Sequence, residues 1–299
     1  MNISLIHQII ALLIIITGIS LGILVYSSDR KSSINRTFLL LSISIIFWIA
    51  FYYLTEFSQQ NTKLTLLFAK LGVGSVALFY IPFYFFFVYF LEFGKKFKVL
   101  NRIVIIIGLL LFGIILFTNL VIENIKFEPW GVDLIFGPLN LFFYGFAVIL
   151  SILIVYLLFL KYFKSTPKEK LKIQYFLIGV LLWILMNFVF NMIFGLWKHT
   201  IKYSYLGHYS VIFLIGFTAL AIVKRNLFGI RVVLTGLLVG SIAVLLLLDI
   251  FVFTPQLLIQ LFKGLILIIF LYFGYLLIKN IIGEIKRREE LERLTGELE

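Results

Sequence analysis

Apolar runs of about twenty residues alternate along the chain with short polar segments, and the runs are too continuous for amphipathic surface helices, which keep one polar face. They cover Leu5 to Tyr26, Thr37 to Leu54, Leu66 to Leu91, Ile103 to Val121, Leu141 to Leu160, Ile173 to Phe194, Leu206 to Val223, Val232 to Phe253 and Leu265 to Ile282. Each is long enough to cross about 30 Å of hydrocarbon. The pattern therefore predicts an all-α fold, a polytopic transmembrane helical bundle of about nine spans. The first run has no basic segment before it and no small-residue cleavage site after it, so it is expected to stay as an anchor.

The polar segments alternate in charge. Arg30, Lys31 and Arg36, then Lys95, Lys96, Lys98 and Arg102, then Lys161 to Lys172, then Lys224, Arg225 and Arg231, and last Lys279 and Lys286 to Arg288 are rich in base. Excess Lys and Arg belongs on the cytoplasmic side. The intervening segments, around Glu56 and Lys63, around Glu123, Lys126, Glu128 and Asp133, around Lys198 and Lys202, and at Thr254-Pro255, are poorer in base and are expected outside. This places the N-terminus outside and the C-terminus inside, which requires an odd number of crossings.

Composition narrows the chemistry. Sixty-two per cent of the 299 residues are hydrophobic and 13% charged, against roughly 45–50% and about 25% in soluble domains. The formal charge of +12 is distributed as span-flanking clusters, which argues for a bilayer partner and against nucleic acid. Cysteine is absent, and the three histidines, His7, His199 and His208, show no ligand spacing, so neither metal nor cofactor is expected. No carboxylate pair, Gly-rich phosphate loop or Ser-His-acid set suggests catalysis.

Polar groups inside spans are costly and prompt a functional question. Lys70 lies in the outer third of the third span, where it either snorkels, meets a structural partner or contacts a ligand. Asn187 and Asn191, four apart, share a face of the sixth span. Asn119 ends the fourth span, Asp249 lies near the outer end of the eighth, and Tyr203, Tyr205, His208 and Tyr209 open the seventh. All map to the outer side. Lys70, Asn119, Asn187, Asn191 and His208 are thus the candidate ligand-binding residues, against the alternative that outer span ends are simply more polar. Gly72, Gly74, Pro82, Gly179 and Gly274 are candidate points of flexure or close packing. Trp130 and Trp197 suit the interfacial belt.

After Lys279 the sequence changes to IGEIKRREELERLTGELE, a charged cytoplasmic helix continuing from the ninth span. Leu291, Leu294 and Leu298 recur at three and four residues, as in a coiled-coil seam, which suggests a homodimer and an output surface. Such a helix is expected to lead into an output domain of the natural gene or to meet a partner.

Three stretches also carry a resemblance: GVDLIFGPLNLFFYGFAVIL, KSTPKEKLKIQYFLIGVLLWILMNFVFN and LGHYSVIFLIGFTALAIVKRNLFGIRVV. With Gly137 before the fifth span, Lys172-Ile173-Gln174-Tyr175 and Gly179 opening the sixth, and Ala221 to Lys224 with Leu227 to Arg231 closing the seventh, residues 5 to 231 resemble the N-terminal seven-transmembrane sensor region of bacterial histidine kinases. The resemblance implies a sensor domain over residues 1–231, a two-span hairpin over 232–282 and a linker helix over 283–299, in a bacterial inner membrane. It also implies an unknown small-molecule or in-membrane stimulus and a kinase output domain or partner. No phosphoacceptor His, Asn-rich ATP box or Gly-rich lid is present, so kinase activity does not carry over to this chain. The rival readings are a secondary transporter or its subunit, which would show inverted repeats and broken helices, and a lipid-directed transferase using the basic patch Lys161 to Lys172.

Overall fold

Polar residues in the short links decide where each apolar run becomes a helix. The computed structural model describes residues 3–94, 96–197, 200–223 and 257–296, with isolated positions between 235 and 250. Helix α1 spans Ile3–Ser28 and α2 spans Ser33–Phe57. Between them Asp29 Oδ1 accepts from the amides of Lys31 (2.9 Å) and Ser32 (3.2 Å), and the Ser32 hydroxyl caps Asn35 N. Helix α3, Thr62–Phe90, starts at Asn61, whose side chain accepts from Leu64 N at 3.2 Å. Helices α4, Lys98–Phe117, and α5, Asn140–Lys164, follow. Helix α6, Pro167–Asn187, opens with a capping box of Thr166 and Glu169 and with Pro at its first position, a strong start signal. Such caps satisfy the free amides that a helix end leaves.

The sixth run does not stop at Phe194 as its hydropathy predicts. A π-helical turn, Phe188–Ile193, joins α6 to α7, Phe194–Trp197, in one continuous rod. Phe194 N donates to Val189 O, five residues back, as a π turn requires. The fourth run ends earlier than expected, at Phe117, because Thr118 turns extended after its amide bonds Ile114 O (3.0 Å). Asn119 therefore stands beyond the helix end.

The segment read as an outer loop is a two-stranded antiparallel hairpin, β1, Ile122–Glu128, with β2, Gly131–Phe136. Its apolar side chains Val121, Ile122, Val132 and Leu134 are buried against the bundle end, while the Lys126 and Glu128 side chains pair on the strand and Lys126 stays exposed. The Glu128 carboxylate raises the Lys126 pKa, chiefly through their hydrogen bond. Gly131, at φ +145°, occupies backbone space that favours glycine.

Helix α3 is the centre of the bundle. Phe79, Phe83, Phe86 and Phe87 are wholly buried, and Trp183 of α6 meets the rings of Phe79 and Phe83 at 5.1 and 5.0 Å. Phe176 meets Phe90 edge-on at 4.3 Å. These offset and edge contacts are the preferred aromatic geometries. At Gly179 an added Cβ would lie 2.6 Å from Phe217 Cβ, so this glycine sets the close crossing of α6 with α9, Val211–Val223.

Among the described residues seven helices are long and apolar enough to cross a membrane, within α1 to α6 with α7, and α10, Leu257–Gly296. This differs from the nine expected. The seventh expected span divides into α8, Ser204–Tyr209, and α9, and the described part ends at Val223. The eighth, residues 232–253, lies outside the described residues except at isolated positions, as do Lys224, Arg225, Arg231, Asp249, Thr254 and Pro255. The expected passage of the ninth span into a charged helix takes the form of the unbroken α10, which runs through Gly264, Gly274 and Gly283. Leu291 and Leu294 lie on it, and Leu298 is outside the described residues.

Candidate functional site

The hairpin covers one end of the bundle, where the N-terminus of α1, the C-terminus of α2 and the start of α8 meet. The Tyr53 hydroxyl donates to His7 O at 2.9 Å, His7 Nδ1 and the Tyr209 hydroxyl are hydrogen-bonded, and the His7 ring lies 4.2 Å from that of Tyr205. Glu56, at the end of α2, holds the hairpin: its Oε1 accepts from Val132 N (3.3 Å) and its Oε2 from Gln59 Nε2 (3.0 Å). Asp133, buried on β2, accepts from Ile201 N at 2.9 Å and so ties the hairpin to the segment before α8.

Lys70 and Asn119 come together. The Lys70 ammonium donates to Asn119 Oδ1 and to Thr118 O, both at 2.7 Å. It thus caps the carbonyl end of α4, where a cation is favoured by the helix dipole. Lys70 as a whole is buried, and its ammonium is held by these two acceptors.

Beneath the hairpin lies a cavity of about 670 Å3 between α2, α3, α5 and the α6–π rod. Its wall is almost wholly apolar and aromatic, with Trp48 and Tyr52 from α2, Ala69 to Tyr80 from α3, and residues from Phe143 to Phe159 of α5. The size and lining are those of small-molecule sites. The polar residues of the wall include a stripe on the α6–π rod, Trp183, Asn187 and Asn191, faced by His208 of α8, with Thr55 and Glu56 of α2, Ser151 of α5 and Ser204 of α8. Asn191 Nδ2 donates to Asn187 Oδ1 (2.7 Å), Asn187 Nδ2 to Ser210 Oγ (2.9 Å) and to Trp183 O (2.9 Å), and the Ser210 hydroxyl to Gly207 O (2.5 Å). Gly207 leaves room for this network, since an added Cβ would stand 2.2 Å from Asn191 Nδ2 and displace that side chain. The Tyr144 hydroxyl donates to Asn191 O at 3.1 Å, engaging a carbonyl of the π turn.

His208 packs edge-on to Tyr52 (4.3 Å) and Trp48 (4.7 Å) and is 1% exposed. Its Nδ1 has no hydrogen-bond partner among the described residues, and neither has Nε1 of Trp183, which is 2% exposed. Buried polar atoms without partners are uncommon and ask for an explanation.

The five candidate residues thus fall into two groups. Asn187, Asn191 and His208 line the cavity; Lys70 and Asn119 form a separate pair at the end of α4. Sequence reasoning missed Glu56, Tyr52, Trp183 and the hairpin as parts of the site. The short alternation of apolar and polar positions over Asn124–Glu128 and Val132–Leu134, on either side of the Pro129-Trp130 turn, is the signal that marks the hairpin. Among the described residues no group of three or more His, Asp or Glu could hold a metal ion.

The family described as the N-terminal 7TM region of histidine kinase matches residues 10–231. The match covers most of the chain, which belongs to this family. No curated protein and no solved structure matches the chain. Family membership supports a multi-pass membrane sensor region whose output is a kinase domain.

Proposed function

We propose that this member of the histidine kinase 7TM region family is a receptor whose stimulus occupies the cavity between α2, α3, α5 and the α6–π rod. The observation that carries this reading is the convergence of Asn187, Asn191 and His208 on one apolar chamber. In this reading the N-terminus and the hairpin are outside, the basic links and the end of α10 are in the cytoplasm, and the membrane is the bacterial inner membrane. The chain works as a homodimer, with Leu291, Leu294 and Leu298 in the seam, and α10 passes the change to the kinase. Occupancy shifts the population between two helix packings, which requires that the stimulus bind one of them more tightly.

The test is autophosphorylation of the kinase-bearing protein in proteoliposomes. Asn187→Ala, Asn191→Ala and His208→Ala are expected to shift basal kinase activity in one direction or to abolish its response, without loss of protein from the membrane. Unchanged activity and response in all three would refute the receptor reading.

A further inference from the structure

The cavity has a side entrance at the depth of the bilayer centre. Ile152, on its wall, stands twelve residues from either end of α5, Asn140–Lys164, which is about 18 Å of helix in each direction at 1.5 Å per residue. Yet Ile152 is 64% exposed, and the neighbouring wall residues Tyr156 and Phe159 of α5 and Leu181 and Phe188 of the α6–π rod are exposed as well. In a bilayer an opening at that depth faces acyl chains, not water. The wall residues of α5 run from Phe143 to Phe159, sixteen residues or about 24 Å, so the chamber is long along α5.

Its two ends differ chemically. The end under the hairpin carries Asn187, Asn191 and Glu56, with the unpartnered His208 Nδ1 and Trp183 Nε1 buried behind the wall surface; the end toward Phe159 is apolar apart from the Tyr156 hydroxyl. Glu56 is the one charged side chain among the described lining residues. A negatively charged head would meet this carboxylate with no lining cation to offset it. Resting on the receptor reading above, we infer that the ligand is a single-chain amphiphile that enters from the bilayer between α5 and the α6–π rod. Its long apolar chain lies along α5, and its head, uncharged or cationic, bonds Asn187 and Asn191 beside Glu56.

The experiment uses the purified chain in phosphatidylcholine nanodiscs and a hexadecanol bearing a diazirine near the end of its chain. Photolysis and peptide mass spectrometry are expected to place adducts on residues 152–159 of α5 and 181–188 of the rod. Unlabelled hexadecanol should compete at least about ten-fold better than hexadecanoate, the ratio that even about 1.4 kcal/mol of repulsion from Glu56 gives. Ala147→Phe, which fills the chamber, and Ile152→Trp, which blocks its exposed mouth without touching the core, should both remove these adducts. Ile149→Trp, on the same helix but exposed to lipid and outside the wall, should leave them unchanged. Adducts spread over the lipid-facing surface and unaffected by Ile152→Trp would overturn the inference, and equal competition by hexadecanoate would overturn the assignment of head charge. If the kinase responds to the Asn187 and His208 variants while no adducts form in the chamber, the amphiphile inference fails and the receptor reading stands.

Discussion

The chain of donors from Asn191 through Asn187 and Ser210 to Gly207 O is the contact that fixes α8 against the α6–π rod, and its energy follows from its geometry. Asn187→Ala removes the bonds across the helices to Ser210 Oγ at 2.9 Å and, longer, to Gly207 O at 3.5 Å, and two along the rod, to Trp183 O at 2.9 Å and from Asn191 Nδ2 at 2.7 Å. Hydrogen bonds between helices in membranes average about 0.6 kcal/mol and reach about 1.7, because the separated helices also find partners. A side-chain pair four residues apart on one helix adds about 0.2–0.5 kcal/mol. Asn187→Ala is thus expected to cost about 1–2 kcal/mol. Ser210→Ala removes the same interhelical bond together with the Gly207 contact, so the two substitutions should not add. A double-mutant cycle, read by reversible unfolding in bicelles, should give a coupling of about 0.6–1.7 kcal/mol. Strict additivity, with coupling below about 0.3 kcal/mol, would show that Asn187 and Ser210 do not bond, and the account of the polar stripe would be wrong.

Lys70→Met removes one charged donor and its two hydrogen bonds from the end of α4, one of them to the Thr118 carbonyl, and should destabilise the bundle by about 1–3 kcal/mol; an unchanged unfolding midpoint would refute the capping role. Gly131→Ala places a Cβ 2.5 Å from a Glu56 carboxylate oxygen at a backbone φ of +145°. Amide exchange over residues 122–136 should then speed up while α3 stays protected, and equal exchange in both proteins would count against Glu56 as the hairpin's anchor. A single-cysteine scan from position 285 to 298 in the cysteine-free chain should give disulfide dimers at Leu291, Leu294 and Leu298 and weak ones between, whereas a flat profile would rule out the seam.

The first six spans were legible because continuous apolar runs leave little choice in lipid, where each backbone amide must be satisfied within its own helix. The hairpin was hidden by brevity: strands of seven and six residues, alternating over only part of their length, sit between long helical runs, and their charges read as a loop. Lys70 and Asn119 were each conspicuous, but nothing in the sequence says that a lysine in α3 meets a residue 49 positions on. Glu56 looked like a loop charge for the same reason, its amide partner being 76 residues away. Asn187 and Asn191 were readable as one face from their spacing alone. Trp183 was not, since an indole in an apolar run is ordinary until the structure leaves its nitrogen without a partner.

The π turn gives the polar stripe its geometry. In a regular helix a position eight residues on is rotated by about 80° around the axis, which would carry Asn191 away from the side on which Trp183 stands. The wider turn over Phe188–Ile193 delays that rotation, so that Trp183, Asn187 and Asn191 all reach the cavity wall. The carbonyl of Asn191 is taken up by the Tyr144 hydroxyl from the facing helix. Under the proposed function a ligand bonded to both asparagines therefore favours the π form over the regular helix, and everything C-terminal to the turn, α7 and then α8, is held in the rotation that this form dictates. The differential affinity that a population shift demands then resides in one turn of one helix.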